Sequence, residues 1–137
     1  MKIGYTSGVY DMFHIGHLNI LRAAKEKCDY LIVGVTTDAL CAKRKGKFPI
    51  INENDRVEIV KSIKYVDQVV LQEDMDKLRV VKRHNVDVVF VGSDWQGTPE
   101  WEKYEKEFAT VGCGVEYLPH TEGISSTSLR EKVGVGK

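Results

Sequence analysis

Cysteine is scarce in this sequence: Cys28, Cys41 and Cys113 are odd in number, far apart and include no C-x-x-C pair. That argues against a disulfide framework or a cysteine-built zinc site, and the expected setting is a reducing, cytoplasmic one. Net charge is missing as well, because 20 Lys and Arg cancel 20 Asp and Glu. No whole-chain field therefore argues for nucleic acid or an anionic membrane as partner. No apolar run approaches the roughly 20 residues that cross a bilayer, and the opening "MKIGYTSG" lacks the apolar stretch of a signal peptide. Low-complexity tracts, internal repeats and Pro/Ser-rich linkers are absent too. What is present is the composition of an ordinary globule, 42% hydrophobic and 29% charged over 137 residues. Such a length predicts one domain, 1–137, with enough chain to bury a core.

Strand and helix signals alternate along the chain. Apolar stretches at 2–6 (KIGYT), 30–35 (YLIVGV), 66–71 (VDQVVL), 87–92 (DVVFVG) and 114–118 (GVEYL) predict strands, the continuous runs suiting strands covered on both faces. Between them, Leu18, Leu21 and Ala24 recur at helical spacing from about His14. A second helix carries Val57, Val60 and Ile63 with a cap at Asn54 or a neighbour, and a third carries Leu78 and Val81 with Asp74 as its cap. Thr98-Pro99 is a capping hydroxyl followed by a first-turn proline, after which Trp101, Tyr104 and Phe108 share a face. "SSTSLREKV" predicts a last short helix, and the basic cluster "KRKGK" at 43–47 reads as a loop. This order predicts an α/β fold: a Rossmann-like, doubly wound, five-stranded parallel sheet of order 3-2-1-4-5 with right-handed crossovers.

Sheets of this kind bind ligands beyond the carboxyl ends of the strands, where strand order reverses. In this order the crevice lies between the first and fourth strands, beneath "SGVYDMFHIGH" and "GSDWQG". A helix amino end offers unpaired N–H groups and partial positive charge, and so attracts phosphate. Gly8 is expected to let the chain leave the strand tightly, and Gly16 to remove a side chain where phosphate approaches. His14 and His17 would add N–H donors to the same anion. A lone histidine is usually a packed or surface residue, and two histidines with Asp11 make a poor zinc site without a third strong ligand. The full set of Gly8, Asp11, His14, Gly16 and His17 favours phosphate over both.

"GVYDMFHIGH" at 8–17 resembles the H-x-G-H signature of the nucleotidyltransferase superfamily. "HTEGISSTSLRE" at 120–131 resembles the TEGIS-type signature of its cytidylyltransferase branch, and "IKYVDQVV" and "HNVDVVFVGSDWQG" extend the likeness along the chain. Together these are most similar to the bacterial glycerol-3-phosphate-using cytidylyltransferases. The resemblance implies transfer of CMP from CTP to glycerol 3-phosphate, with pyrophosphate released and CDP-glycerol formed, a precursor for teichoic-acid-like or capsular polymers. It also implies Mg2+ carried with the CTP triphosphate, and a homodimer. The nucleophile would be a phosphate oxygen already ionised at neutral pH, so catalysis would rest on positioning and charge neutralisation.

By the same resemblance His14 and His17 hold the CTP phosphates and stabilise the transition state. Val9 and Tyr10 lie against the nucleotide through their backbone, while Asp11 orders the turn. Of the basic cluster, Lys45 is expected near the acceptor phosphate and Lys47 near CTP as a catalytic cation, though either lysine could take either part. Lys77 matches an acceptor-contacting lysine; on sequence alone it is a surface helix residue. Asp94 and Trp95 are expected near base and ribose. His120, Thr121, Glu122, Gly123, Ile124, Ser125, Ser126 and Thr127 are expected to supply the remaining nucleotide contacts. Two departures stand out: Val9 replaces a usual threonine, and His120 replaces a usual arginine, turning a permanent cation into one that titrates near neutrality. Another phosphoalcohol (phosphocholine, phosphoethanolamine, a sugar phosphate), transfer from ATP, or an inactive nucleotide-binding module remain open alternatives.

Overall fold

The computed structural model describes residues 1–119. The expected last helix and the candidate site residues His120 to Thr127 lie outside them. Five strands form one parallel sheet in the order β3-β2-β1-β4-β5, as expected: β1 (Ile3–Gly8), β2 (Tyr30–Thr36), β3 (Gln68–Gln72), β4 (Val88–Gly92) and β5 (Gly114–Leu118). Strand order reverses at β1, which pairs with β2 on one side and β4 on the other. The helices are α1 (Ile15–Glu26), α2 (Asp38–Lys45), α3 (Glu53–Lys61), α4 (Lys77–His84) and α5 (Pro99–Ala109), with a 3-10 turn at Ser93–Trp95 after β4.

The two-residue period of the strands divides the core in two. Leu31, Val33 and Val35 of β2 join Leu21 and Ala24 of α1 and Val60 of α3 on one face. Ile32 points the other way and packs with Tyr5, Val89, Val81 of α4, and Trp101, Tyr104 and Phe108 of α5. The helical face read at Trp101, Tyr104 and Phe108 is therefore core, and truncating Phe108 would cost about 3–5 kcal/mol. At the amino edge of the sheet, the carboxylates of Asp29, Asp67 and Asp87 accept from the backbone N–H of Lys2, Leu31 and Ile3. These aspartates precede their strands, which is why β3 and β4 begin one or two residues later than their apolar runs suggest.

The basic cluster is not a loop. Thr37 caps α2 by accepting from the N–H of Leu40; Lys43, Arg44 and Lys45 form its last turn, and Gly46 closes it at φ 76°. Cations near a helix carboxyl end and a left-handed glycine just beyond it are stabilising there, so the sequence carried the signal. The caps are also fixed. Asn52, a neighbour of Asn54, accepts from the N–H of Asp55 at the start of α3. Asp76, not Asp74, accepts from the N–H of Arg79 at the start of α4, while the Asp74 carboxylate pairs with Arg79 from outside the helix.

Candidate active site

His14 is the N-cap of α1, and its imidazole does the work that a serine or aspartate usually does. Its Nδ1 accepts from the N–H of Gly16 at 3.0 Å, and the N–H of His14 donates back to Nδ1 of His17 at 3.2 Å. The pattern is a capping box built from two imidazoles. An Nδ1 that accepts a hydrogen bond carries no proton, so in each neutral ring the proton sits on Nε2. The rings stack with centroids 3.9 Å apart, so both imidazoles gather at the amino end of α1. Nε2 of His14 is buried and has no hydrogen-bond partner among the described residues. Burial holds the pKa of His14 below its usual value. Burial and the neighbouring His14 bring His17 down to about 4, against a smaller opposing pull from Asp11. At neutral pH the pair therefore offers two neutral N–H donors at a helix amino end, a match for an anion.

The loop that leads into this cap is strained and then tied down. Positive φ falls on Tyr10 (55°) and Met12 (50°), two non-glycine residues, rather than on Gly8. Gly8 still belongs to β1, and its role is clearance: a Cβ there would stand 3.1 Å from the ring of Tyr10. The Tyr10 side chain is core, edge-on to His17 at 5.4 Å, so only its backbone faces outward from that packing. Asp11 is buried and accepts from the N–H groups of Ile50 and Ile51 at 2.9 and 2.8 Å. It thus fastens the chain returning from α2 to the histidine loop.

Arg56, at 0% exposure, completes this knot. Its Nη1 donates to the carbonyls of Val9 (2.8 Å) and Thr36 (2.7 Å), its Nε donates to Ile51 (2.8 Å), and its Nη2 pairs with Asp38. One guanidinium joins the ends of β1 and β2 to the segment before α3. Nothing in the sequence singled it out, since an arginine on a helix normally reads as solvated.

On the other side of β1, Lys77 is buried rather than on the surface. Its Nζ donates to Ser7 Oγ at 2.7 Å, close to the carboxyl end of β1. Burial, with repulsion from Arg44, lowers its pKa to about 8 against a weaker pull from Glu100. Arg44 itself reaches Glu100 at 3.7 Å, so the basic end of α2 faces the start of α5. Lys45 and Lys47 are both exposed, Lys45 in the last turn of α2 and Lys47 just beyond the Gly46 cap. Asp94 and Trp95 lie in the 3-10 turn that follows β4, the neighbour of β1, and Trp95 is 41% exposed. The Asp94 carboxylate folds back over Gly92, where a Cβ would lie 2.8 Å from its Oδ1. Among the described residues no helix is long and apolar enough to cross a membrane.

The chain is 35% identical over 134 residues to glycerol-3-phosphate cytidylyltransferase of Bacillus subtilis, covering 97% of this chain and 98% of that one. It is 37% identical over 134 residues to the enzyme of the same name from Staphylococcus aureus, covering 97% and 96%. Among solved structures, the lipopolysaccharide core biosynthesis protein of Thermoplasma volcanium superposes with a TM-score of 0.73 at 26% identity, over 88% of this chain and 97% of that one. The family model described as Cytidylyltransferase-like matches residues 5–132, from inside β1 to beyond the described residues, and the chain belongs to that family.

Proposed function

We propose that this protein transfers CMP from CTP to glycerol 3-phosphate, forming CDP-glycerol and releasing pyrophosphate. The acceptor is the one named for relatives aligned over nearly the whole chain. The observation that carries the chemistry is the reciprocal capping of His14 and His17, which gathers two imidazoles with Nε2–H donors at the amino end of α1. An acceptor phosphate oxygen attacks the α-phosphorus of CTP, and the bond to the bridging oxygen of pyrophosphate breaks. Charge grows on the phosphoryl oxygens, where preorganised donors act without reorienting. No general base is required, because the nucleophile is already an anion.

In this reading Val9, Tyr10 and Asp11 shape the backbone beside the nucleotide, Gly16 supplies the amino end of α1, and Asp94 and Trp95 lie near base and ribose. Lys47 serves the triphosphate, while Lys45 and Lys77 serve the acceptor. The stretch from His120 to Thr127, named by family signature alone, contributes further nucleotide contacts. Mg2+ enters with CTP, since both Asp11 oxygens already accept backbone N–H groups and a triphosphate is the better ligand for a hard, strongly hydrated cation. Carried there with the substrate, it would supply charge neutralisation on the leaving pyrophosphate. The protein acts as a homodimer, and its product feeds the making of a glycerol-phosphate polymer. Pyrophosphate release measured over four nucleoside triphosphates and a panel of phosphoalcohols tests the reading. CTP with glycerol 3-phosphate is expected to lead, and equal turnover with ATP or with another phosphoalcohol would overturn it.

A further inference from the structure

We propose that Ser7 is a positioning residue for the acceptor: it holds the Lys77 ammonium beside the carboxyl end of β1, where that cation receives an acceptor's anionic group. The identity of the acceptor rests on the cytidylyl-transfer reading above; the Ser7–Lys77 relationship does not.

Alternation along β1 sends Tyr5 into the core beneath α4 and α5, and Ser7, two residues on, points to the same face. Lys77 opens α4, and its buried chain ends 2.7 Å from Ser7 Oγ. The rings of Trp101 and Tyr104 flank Nζ, each with its centroid 5.9 Å away. An ammonium carries three donors, and among the described residues Ser7 is its one hydrogen-bond partner. No carboxylate lies within ion-pair distance of it there. A buried lysine kept for structure alone is normally paired with an acid. This one keeps its other donors available, and an anionic ligand is what would satisfy them.

The strand beneath Ser7 is itself held in place. The Tyr5 phenol, two residues back on the same face, donates to Gln72 Oε1, and Gln72 Nε2 donates to the carbonyl of Asp74 at 2.8 Å. Tyr5 and Gln72 are both essentially inaccessible, at 0% and 2% exposure. Glycine at position 34 makes the chain of contacts possible, because a Cβ there would fall 1.9 Å from the Tyr5 oxygen. The polar line from Asp74 through Gln72 to Tyr5 thus anchors β1 just below Ser7.

The groups facing Lys77 come from four elements. Arg44 of α2 repels its charge and Glu100 of α5 attracts it. The Tyr104 phenol of α5 donates to the carbonyl of Met75, Ser7 comes from β1, and the Asp76 carboxylate is engaged in capping α4. Glu100 favours the charged amine through space, and Ser7 is the group that accepts a hydrogen bond from it; losing that acceptor shifts the balance toward the neutral amine.

The test compares Ser7→Ala and Ser7→Thr with the unaltered chain. Ser7→Ala is expected to raise KM for glycerol 3-phosphate about tenfold, the loss of one hydrogen bond to a charged group, with KM for CTP unchanged. The alkaline limb of the acceptor's kcat/KM should move to lower pH, and Ser7→Thr should restore both. An unmoved acceptor KM in Ser7→Ala, or an equal rise in both KM values, would overturn the inference. If the unaltered chain turns over no glycerol 3-phosphate, the reaction reading falls by itself. The 15N shift of Lys77 Nζ during titration with inorganic phosphate then decides: the same response in Ser7→Ala as in the unaltered chain would remove Ser7 from the role.

Discussion

Arg56 Nη1 donates to the carbonyl of Val9 at 2.8 Å across 47 positions of sequence, fixing the backbone that leads into the histidine cap. The same side chain holds Thr36, Asp38 and Ile51, so three separate pieces of chain depend on one planar group. A lysine cannot reproduce that fork, because its ammonium is a point charge on a flexible stem. Arg56→Lys is expected to cost about 3 kcal/mol, in the range found when one member of a buried ionic network is lost. A lowered urea midpoint at unchanged slope would show it. A loss under about 1 kcal/mol would mean that the knot is held by other contacts.

His17→Gln separates capping from chemistry. A glutamine oxygen can accept the N–H of His14 as the third residue of a capping box, but it brings no stacked Nε2–H donor and does not titrate. Stability at pH 7 should change by about 1 kcal/mol or less, while the rate of pyrophosphate release should fall about 10²–10³-fold, the effect of losing one preorganised donor. The pH dependence follows from the lowered pKa of His17. Between its unfolded value of 6.5 and its folded value of about 4, the unfolded chain binds more protons. The stability tied to its neutral form is present above 6.5 and is lost as pH falls to about 4. Urea melts at pH 7 and pH 5 should show a smaller drop for His17→Gln than for the unaltered chain. An equal drop would assign the acid limb to other groups.

Fold and site were legible to different degrees, for physical reasons. Strand order and class followed from apolar runs that fit strands buried on both faces, and Thr98-Pro99 marked α5 by capping chemistry that is local. The histidine loop was legible because several unusual residues share one turn. Helix α2 was missed because "KRKGK" reads as a solvated charge run, although a basic last turn followed by glycine is also how a helix ends. Arg56 and Ser7 could not be read at all. Their roles come from Val9, Thr36 and Lys77, partners on other elements that only the folded sheet brings together. Lys77 looked like a surface residue for the same reason.

Asp11→Asn tests the tether between the histidine loop and the chain returning from α2. The carboxylate gives each oxygen to one N–H, of Ile50 and of Ile51. An asparagine has one oxygen and turns a donor toward the other amide, leaving it unsatisfied in a buried place, at a cost of about 1–3 kcal/mol. Hydrogen exchange should accelerate at one or both of these amides, while the amide of Leu40 at the far end of α2 stays protected. Unchanged exchange at Ile50 and Ile51 would show that Asp11 does not hold the segment.

Lys77→Met sets function against stability. The lysine side chain is buried, and its pKa falls from 10.5 to about 8, chiefly through burial. At pH 7 the folded protein still carries the charge, so the lowered pKa corresponds to roughly 3 kcal/mol of unfavourable charge burial. Methionine has a similar length, no charge, and suits a site beside two aromatic rings. The variant is expected to be more stable than the unaltered chain at pH 7 and to bind glycerol 3-phosphate poorly. The sign with pH is opposite to that of a paired lysine. Between pH 8 and 10.5 the unfolded lysine holds more protons than the folded one, so the unaltered chain gains stability as pH rises through that window. The variant has no such gain, and its advantage should shrink from pH 7 to pH 9.5. Urea midpoints for both proteins at these two pH values check it. A destabilised Lys77→Met, or an advantage that stays constant with pH, would show that the ammonium is well compensated within the fold and does not await an anion.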